Sequence, residues 1–228
     1  RMAALKPAAK DFVIFWDNAY IVHHFYKEGY EKNIVKNIYQ EALKHGTQDH
    51  ILYFASTAKI SFPGSGVCAM ASGSKMVEEA KKIMALQLFS HDKLNQLRHV
   101  KYLKNKEHIV EHMKEIAALL IPRFELVDDI LKKNRLYEDV YTWNTPEGGY
   151  FITTYTLEGC AEKALEMTEA IGVKVATAAS TYPYHHDPED RVVRLAPTYP
   201  PIEELKTAME LFCVCANIAA IEKELGGR

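Results

Sequence analysis

Three continuous apolar runs set the terms for what this chain can fold into. They are "FVIFW" (12–16), "HILYFAS" (50–56) and "GVCAMAS" (66–72). None alternates apolar with polar residues, so all three read as buried, parallel-type strands. Between the first two lies "KNIVKNIYQEALKHG", a helical pattern with Ile34, Ile38 and Leu43 near one face and Gly46 placed as its C-cap. Strand, helix, strand in that order predicts an α/β layer with a mostly parallel sheet.

From about Ser74 the pattern becomes helical. Within 107–134, Ile109, Met113, Ile116, Leu120, Phe124, Val127 and Leu131 recur in steps of three and four, which defines one helix face. Pro122 inside that stretch predicts a kink. The remainder reads as a smaller α+β domain. It has strands in "GGYFITTYT" and "RVVRLAP", a tight turn at Gly148 and Gly149, and a helix over 159–172. A last helix over 202–225 is expected to bury Ile202, Leu205, Met209, Phe212, Ala216 and Ala219. The expected organisation is 1–106, a connecting helix 107–134, and a small domain 135–228.

With 48% apolar and 25% charged residues, the chain has a globular rather than a disordered composition. A net charge of −2 gives no electrostatic case for nucleic acid or for an anionic membrane surface. No apolar run has the length a bilayer requires. Cys68, Cys160, Cys213 and Cys215 lack zinc spacing and have apolar neighbours, so they are expected to be reduced core thiols of a cytoplasmic protein. The opening "RMAAL" reads as the tail of a helix, and the chain is expected to be a fragment of a longer one.

The chemistry gathers where the first two strands end. "DNAY" (17–20) follows the first and "STAK" (56–59) closes the second. Ligands of open α/β sheets bind at the carboxyl ends of the strands. A partly desolvated lysine there, Lys59, can form a Schiff base with an aldehyde. Pyridoxal 5'-phosphate (PLP) needs such a lysine, and an anion for its ring nitrogen. Asp17, Tyr20 and Lys59 therefore read together as a cofactor cluster. Singly they have plainer readings: Asp and Asn end strands, and a loop lysine or a strand-edge Arg194 is ordinarily solvated.

Taken in order, "FWDNAYIVHH", "FASTAKISFPGSGV", "DKLNQLRHV", "PEGGYFI", "YPYHHDPEDRVVRLAPTYP" and "CVCANIAAIEKEL" span nearly the whole chain. Together they resemble class I PLP-dependent aminotransferases, and within them the MocR-like, aspartate-aminotransferase branch. The resemblance implies that Lys59 is the Schiff-base lysine, Asp17 the partner of the pyridine nitrogen and Tyr20 the phenol at the ring oxygen. It also makes Ser56 a phosphate ligand and Arg194 the clamp on the substrate α-carboxylate. It implies transamination between an amino acid, aspartate or a related dicarboxylic one, and a 2-oxo acid, in a full-length homodimer.

On the same resemblance, 1–106 is a remnant of the large PLP-binding domain and 135–228 is the small carboxyl-terminal domain. The fragment alone is then expected to be inactive, because the upstream half of the family's site has no counterpart before Asp17. Gly66 stands where many members carry a phosphate-neutralising arginine; a glycine-rich backbone nest, Ser61 or Ser65 are the substitutes. Arg98 is the candidate for the distal carboxylate of a dicarboxylic substrate, against a plainer reading as an interface arginine. His23 and His24 read first as the opening of a helix and second as polar groups around the site. His185, His186 and Asp187 are too little for a metal site. Two other functions stay open: different PLP chemistry such as β-elimination, or the PLP-sensing domain of a MocR-type transcription regulator.

Overall fold

A computed structural model describes residues 1–61 and 63–226. The chain divides into two compact units, Arg1–Glu115 and Ile116–Arg228.

The first unit holds strands β1 (Ile14–Asp17), β2 (Ile51–Ser56) and β3 (Cys68–Ala71). Its helices are α1 (Ile38–His45), α2 (Ser74–Gln87) and α3 (Lys93–Leu103). Helix α4 (Lys106–Asn134) begins here and crosses the division. The sheet order is β1-β2-β3. β1 and β2 are parallel, with Asp17 opposite Phe54, because α1 carries the chain back between them.

β3 corrects the expectation of a third parallel strand: it pairs antiparallel with β2, Ser56 opposite Cys68. Only residues 57–67 join the two strands, and among the described residues no α-helix intervenes. A parallel return needs a crossover of a dozen or more residues, usually helical, so the chain turns back on itself instead.

Helix α1 starts later than the apolar pattern predicts. The Asn37 side chain accepts hydrogen bonds from the Tyr39 and Gln40 N–H groups and caps the helix there. Ile34 therefore lies before the helix in extended backbone, and both it and Leu43 are exposed. Gly46 ends the helix as expected, in the left-handed region at φ 67°. The buried face is Ile38 and Ala42, which pack with Ala3, Ile14 and Ile51 under Phe12, Trp16, Tyr39 and Tyr53. On the other face of β1, Phe15 stacks on Phe54 with ring centroids 5.8 Å apart and remains 69% exposed.

The second unit holds an antiparallel sheet of order β4-β5-β6, from Tyr141–Trp143, Ile152–Thr156 and Val192–Leu195. Gly149, at φ 79°, permits the turn before β5. Helices α5 (Ala161–Ala170) and α6 (Ile202–Gly226) pack on each other. α6 buries Leu205, Met209, Phe212, Ala216 and Ala219, but Ile202, its first residue, is exposed.

α4 runs through Pro122 and buries Phe124, Val127 and Leu131 within this unit. The Tyr141 hydroxyl donates to the Leu131 carbonyl at 3.2 Å. Trp143 Nε1 donates to Asp128 at 2.8 Å. Burial raises the Asp128 pKa, but hydrogen bonds from Lys132 and Trp143 outweigh it and hold the carboxyl below its ordinary value.

Cys160, Cys213 and Cys215 are buried, and desolvation pushes the Cys213 thiol up to about 11. Cys68 departs from the expected core thiols: it is exposed on β3, at the edge of the sheet. Among the described residues no helix is long and apolar enough to cross a membrane.

Candidate functional site

The parallel pairing of β1 and β2 brings their carboxyl ends to one edge of the sheet. Asp17 is the last residue of β1 and is exposed. One of its carboxylate oxygens accepts the Ala19 N–H at 3.1 Å, which turns the chain off the strand and orients the carboxylate. Asn18 ties this turn to β2 twice, through its N–H to the Phe54 carbonyl at 2.9 Å and its side-chain amide to the Tyr53 hydroxyl at 2.7 Å.

β2 ends in a tight turn. The Ser56 hydroxyl accepts the Ala58 N–H at 3.1 Å, and the Ile60 and Ser61 N–H groups both donate to the Thr57 carbonyl. This turn presents Lys59 outward, with Nζ 4.9 Å from the centroid of the Tyr20 ring, within the range of a cation–π contact. Asp17, Tyr20, Ser56 and Lys59 are thus gathered at one edge of the first unit.

Arg98 is exposed on α3. Arg194 belongs to the second unit, in β6 opposite Thr153. Its guanidinium carbon lies 4.6 Å from the Phe151 ring centroid. Its Nε is buried with no hydrogen-bond partner among the described residues.

The histidines were the part of this site least visible in sequence. His23 and His24 open no helix. His23 is 5% exposed and places Nε2 3.1 Å from the Lys59 carbonyl oxygen, with its ring and that of Tyr20 in a T-shaped contact, centroids 5.1 Å apart. Burial lowers the His23 pKa most strongly; the hydrogen bond to the Lys59 carbonyl and the nearby Tyr20 backbone oppose it without reversing it. The imidazole therefore adds no second cation beside Lys59 near neutral pH.

His112 of α4 reaches the Ile60 carbonyl at 2.8 Å, and His99 of α3 reaches the Ser61 hydroxyl at 2.9 Å. Neither stands out in the helical patterns that carry them. Asp187, in the other histidine-bearing stretch, accepts the N–H groups of Glu189, Arg191 and Val192 and organises the turn into β6.

The family model described as "Aspartate amino-transferase" matches residues 1–228. The chain belongs to the aspartate amino-transferase family. It is 34% identical over 222 residues to an aspartate aminotransferase of Corynebacterium glutamicum, covering 97% of this chain and 51% of that protein. A solved aspartate transaminase of Corynebacterium glutamicum superposes with a TM-score of 0.92 at 32% identity, over 97% of this chain and 52% of the other. An α-aminoadipate aminotransferase of Thermus thermophilus, complexed with N-(5'-phosphopyridoxyl)-L-leucine, shares the fold at a TM-score of 0.73 and 15% identity, over 91% and 50% of the two chains. The chain spans about half the length of the curated relatives it matches.

For an aspartate amino-transferase chain, Gly66 is the position where the motif resemblance places an arginine. A Cβ added at Gly66 would lie 2.7 Å from the Ala58 Cβ and 2.8 Å from the Ala58 backbone nitrogen. The loop passes so close to the lysine turn that no side chain fits there without moving backbone. Ser61 is engaged with the Thr57 carbonyl and with His99. The Ser65 carbonyl accepts from the Asn95 side chain at 2.7 Å. Phe62, also part of the quoted lysine motif, lies outside the described residues.

Proposed function

We propose that the complete protein transfers an amino group between an amino acid and a 2-oxo acid using pyridoxal phosphate, and that it acts on aspartate or a related dicarboxylic amino acid. One observation carries this reading: Lys59 Nζ lies 4.9 Å from the Tyr20 ring centroid, at the strand edge that also presents Asp17. The 34% identity to an aspartate aminotransferase supports the choice of substrate.

The residues fit the cofactor. Ser56 accepts a hydrogen bond from Ala58 and keeps its own O–H to donate to a phosphate oxygen. The exposed Asp17 carboxylate meets the need for an anion at the ring nitrogen.

Pyridoxal phosphate, when bound, supplies the electron sink. Lys59 anchors it and then moves the proton at the substrate α-carbon, its Nζ acting first as base and then as acid. The Asp17 carboxylate holds the proton on the ring nitrogen, and the Tyr20 hydroxyl serves the ring oxygen. Arg194 receives the α-carboxylate. It lies against Phe151, and among the described residues no carboxylate pairs with it, so its planar fork is free to take a bidentate ligand.

Reduction of the complete protein with borohydride in the presence of PLP is expected to leave the pyridoxyl label on Lys59. Turnover is expected to yield a 2-oxo acid matched by pyridoxamine phosphate. A label on another lysine, or release of ammonia in place of pyridoxamine phosphate, would overturn the reading.

Arg98 is assigned to the distal carboxylate, reached from a second copy of the chain in a homodimer. Arg98→Ala is then expected to lower kcat/KM for aspartate by roughly a hundredfold and to spare alanine, as the loss of one charge-assisted pair predicts. Equal loss on both substrates would make Arg98 structural.

A further inference from the structure

Three histidines from three separate segments close on three consecutive residues of the lysine turn. His23, in the loop after β1, contacts the Lys59 carbonyl at 3.1 Å. His112, on α4, contacts the Ile60 carbonyl at 2.8 Å. His99, on α3, contacts the Ser61 hydroxyl at 2.9 Å.

A carbonyl oxygen only accepts, so His23 and His112 both carry their proton on Nε2 and donate it. The Tyr102 hydroxyl, 3.4 Å from Nδ1 of His112, is placed to donate to that remaining nitrogen. His99 takes the other tautomer: its Nδ1 lies 2.9 Å from the Asn95 carbonyl and donates there, which leaves Nε2 of the neutral ring as an acceptor facing the Ser61 hydroxyl, whose single proton is shared between it and the Thr57 carbonyl 3.0 Å away. Asn95 itself donates to the Ser65 carbonyl. α3 is thereby fastened to both sides of the loop.

The turn needs these outside groups. Its internal bonds run from Ile60 and Ser61 N–H to the single carbonyl of Thr57, which leaves the carbonyls of Lys59 and Ile60 to find donors elsewhere. His23 and His99 are 5% and 7% exposed, so their bonds are sheltered from competing water.

We propose that His23, His112 and His99 act as positioning residues that hold the backbone of 59–61 in one conformation and so keep the Lys59 amine over the Tyr20 ring. The proposal rests on the assignment of Lys59 as the cofactor lysine. A lysine stem is flexible, and only a fixed backbone origin limits where its amine can reach. His23 works on both partners at once: it bonds the Lys59 carbonyl while its ring packs T-shaped against Tyr20, over whose ring the Lys59 amine lies.

The test uses the full-length protein. His23→Leu and His112→Leu remove the donor at similar volume, whereas His23→Gln and His112→Gln return an N–H to it. Hydrogen exchange of the Ile60 and Ser61 amides is measured without cofactor, and the rate of covalent linkage of PLP to Lys59 is measured separately. Each leucine variant is expected to exchange about tenfold faster and to link about tenfold more slowly, the effect of one lost hydrogen bond. The glutamine variants are expected to recover most of both.

His112 is only half-buried, so its leucine variant remains informative if His23→Leu does not fold. Unchanged exchange overturns the clamp. Faster exchange with unchanged linkage overturns the positioning role. A pyridoxyl label on another lysine of the wild-type protein overturns the assignment of Lys59 and the positioning role with it. The cofactor-free exchange data then show independently whether the histidines hold the turn.

Discussion

Asp17→Ala in the complete protein is expected to slow amino-group transfer by about a hundred- to a thousandfold, the usual cost of deleting one preorganised electrostatic partner of a transition state. PLP affinity is expected to change far less, because the carboxylate acts on charge that develops during the reaction rather than on the resting cofactor. Asp17 ends β1, opposite Phe54, and is turned off the strand by the hydrogen bond its carboxylate accepts from Ala19. The neighbouring Asn18 anchors the same turn to β2 independently. Removing the Asp17 carboxylate should therefore leave the strand edge in place and delete the anion alone. Asp17→Asn separates the two roles, since its amide oxygen still accepts from Ala19 but carries no charge. Single-turnover rates and an equilibrium PLP titration measure the two quantities. An unchanged rate of α-proton removal in Asp17→Ala would refute the assignment.

Leu131→Ala is expected to destabilise the protein by about 3–4 kcal/mol, the typical cost of emptying a leucine site in a packed interior. Leu131 has no exposed surface, lies on the buried stripe of α4 with Phe124 and Val127, and its carbonyl accepts the hydroxyl of the equally buried Tyr141. Tyr141 begins β4, so the cavity would open where the long helix meets the second sheet. The exposed Leu119 on the same helix is the control, because its substitution removes no core contact. Urea unfolding, followed for the complete protein, should show a lowered midpoint for Leu131→Ala and little change for Leu119→Ala. Equal midpoints for both would mean that the stripe is not the core of this unit.

What was legible in the sequence was local. The apolar runs located β1, β2 and β3, and three-and-four spacing located the buried stripe of α4, because side-chain periodicity reports directly on which face meets the core. The polar residues at the ends of β1 and β2 were legible as one cluster because a parallel pair must present both carboxyl ends at the same edge. Gly46 was readable as a cap because few other residues adopt its φ of 67°.

The direction of β3 was decided by tertiary structure. Whether an apolar run pairs parallel or antiparallel depends on how its connection closes, and not on the run itself. The start of α1 was decided at Asn37 rather than by the Ile34 pattern, because the Asn37 side chain satisfies the Tyr39 and Gln40 N–H groups that a helix beginning at Ile38 leaves without an intrahelical partner. The closing of His23, His99 and His112 on residues 59–61 was also tertiary. These partners are 36, 38 and 52 positions apart in sequence, and no local pattern encodes a hydrogen bond whose donor and acceptor meet only after the loop behind β1, α3 and α4 have each packed against the lysine turn.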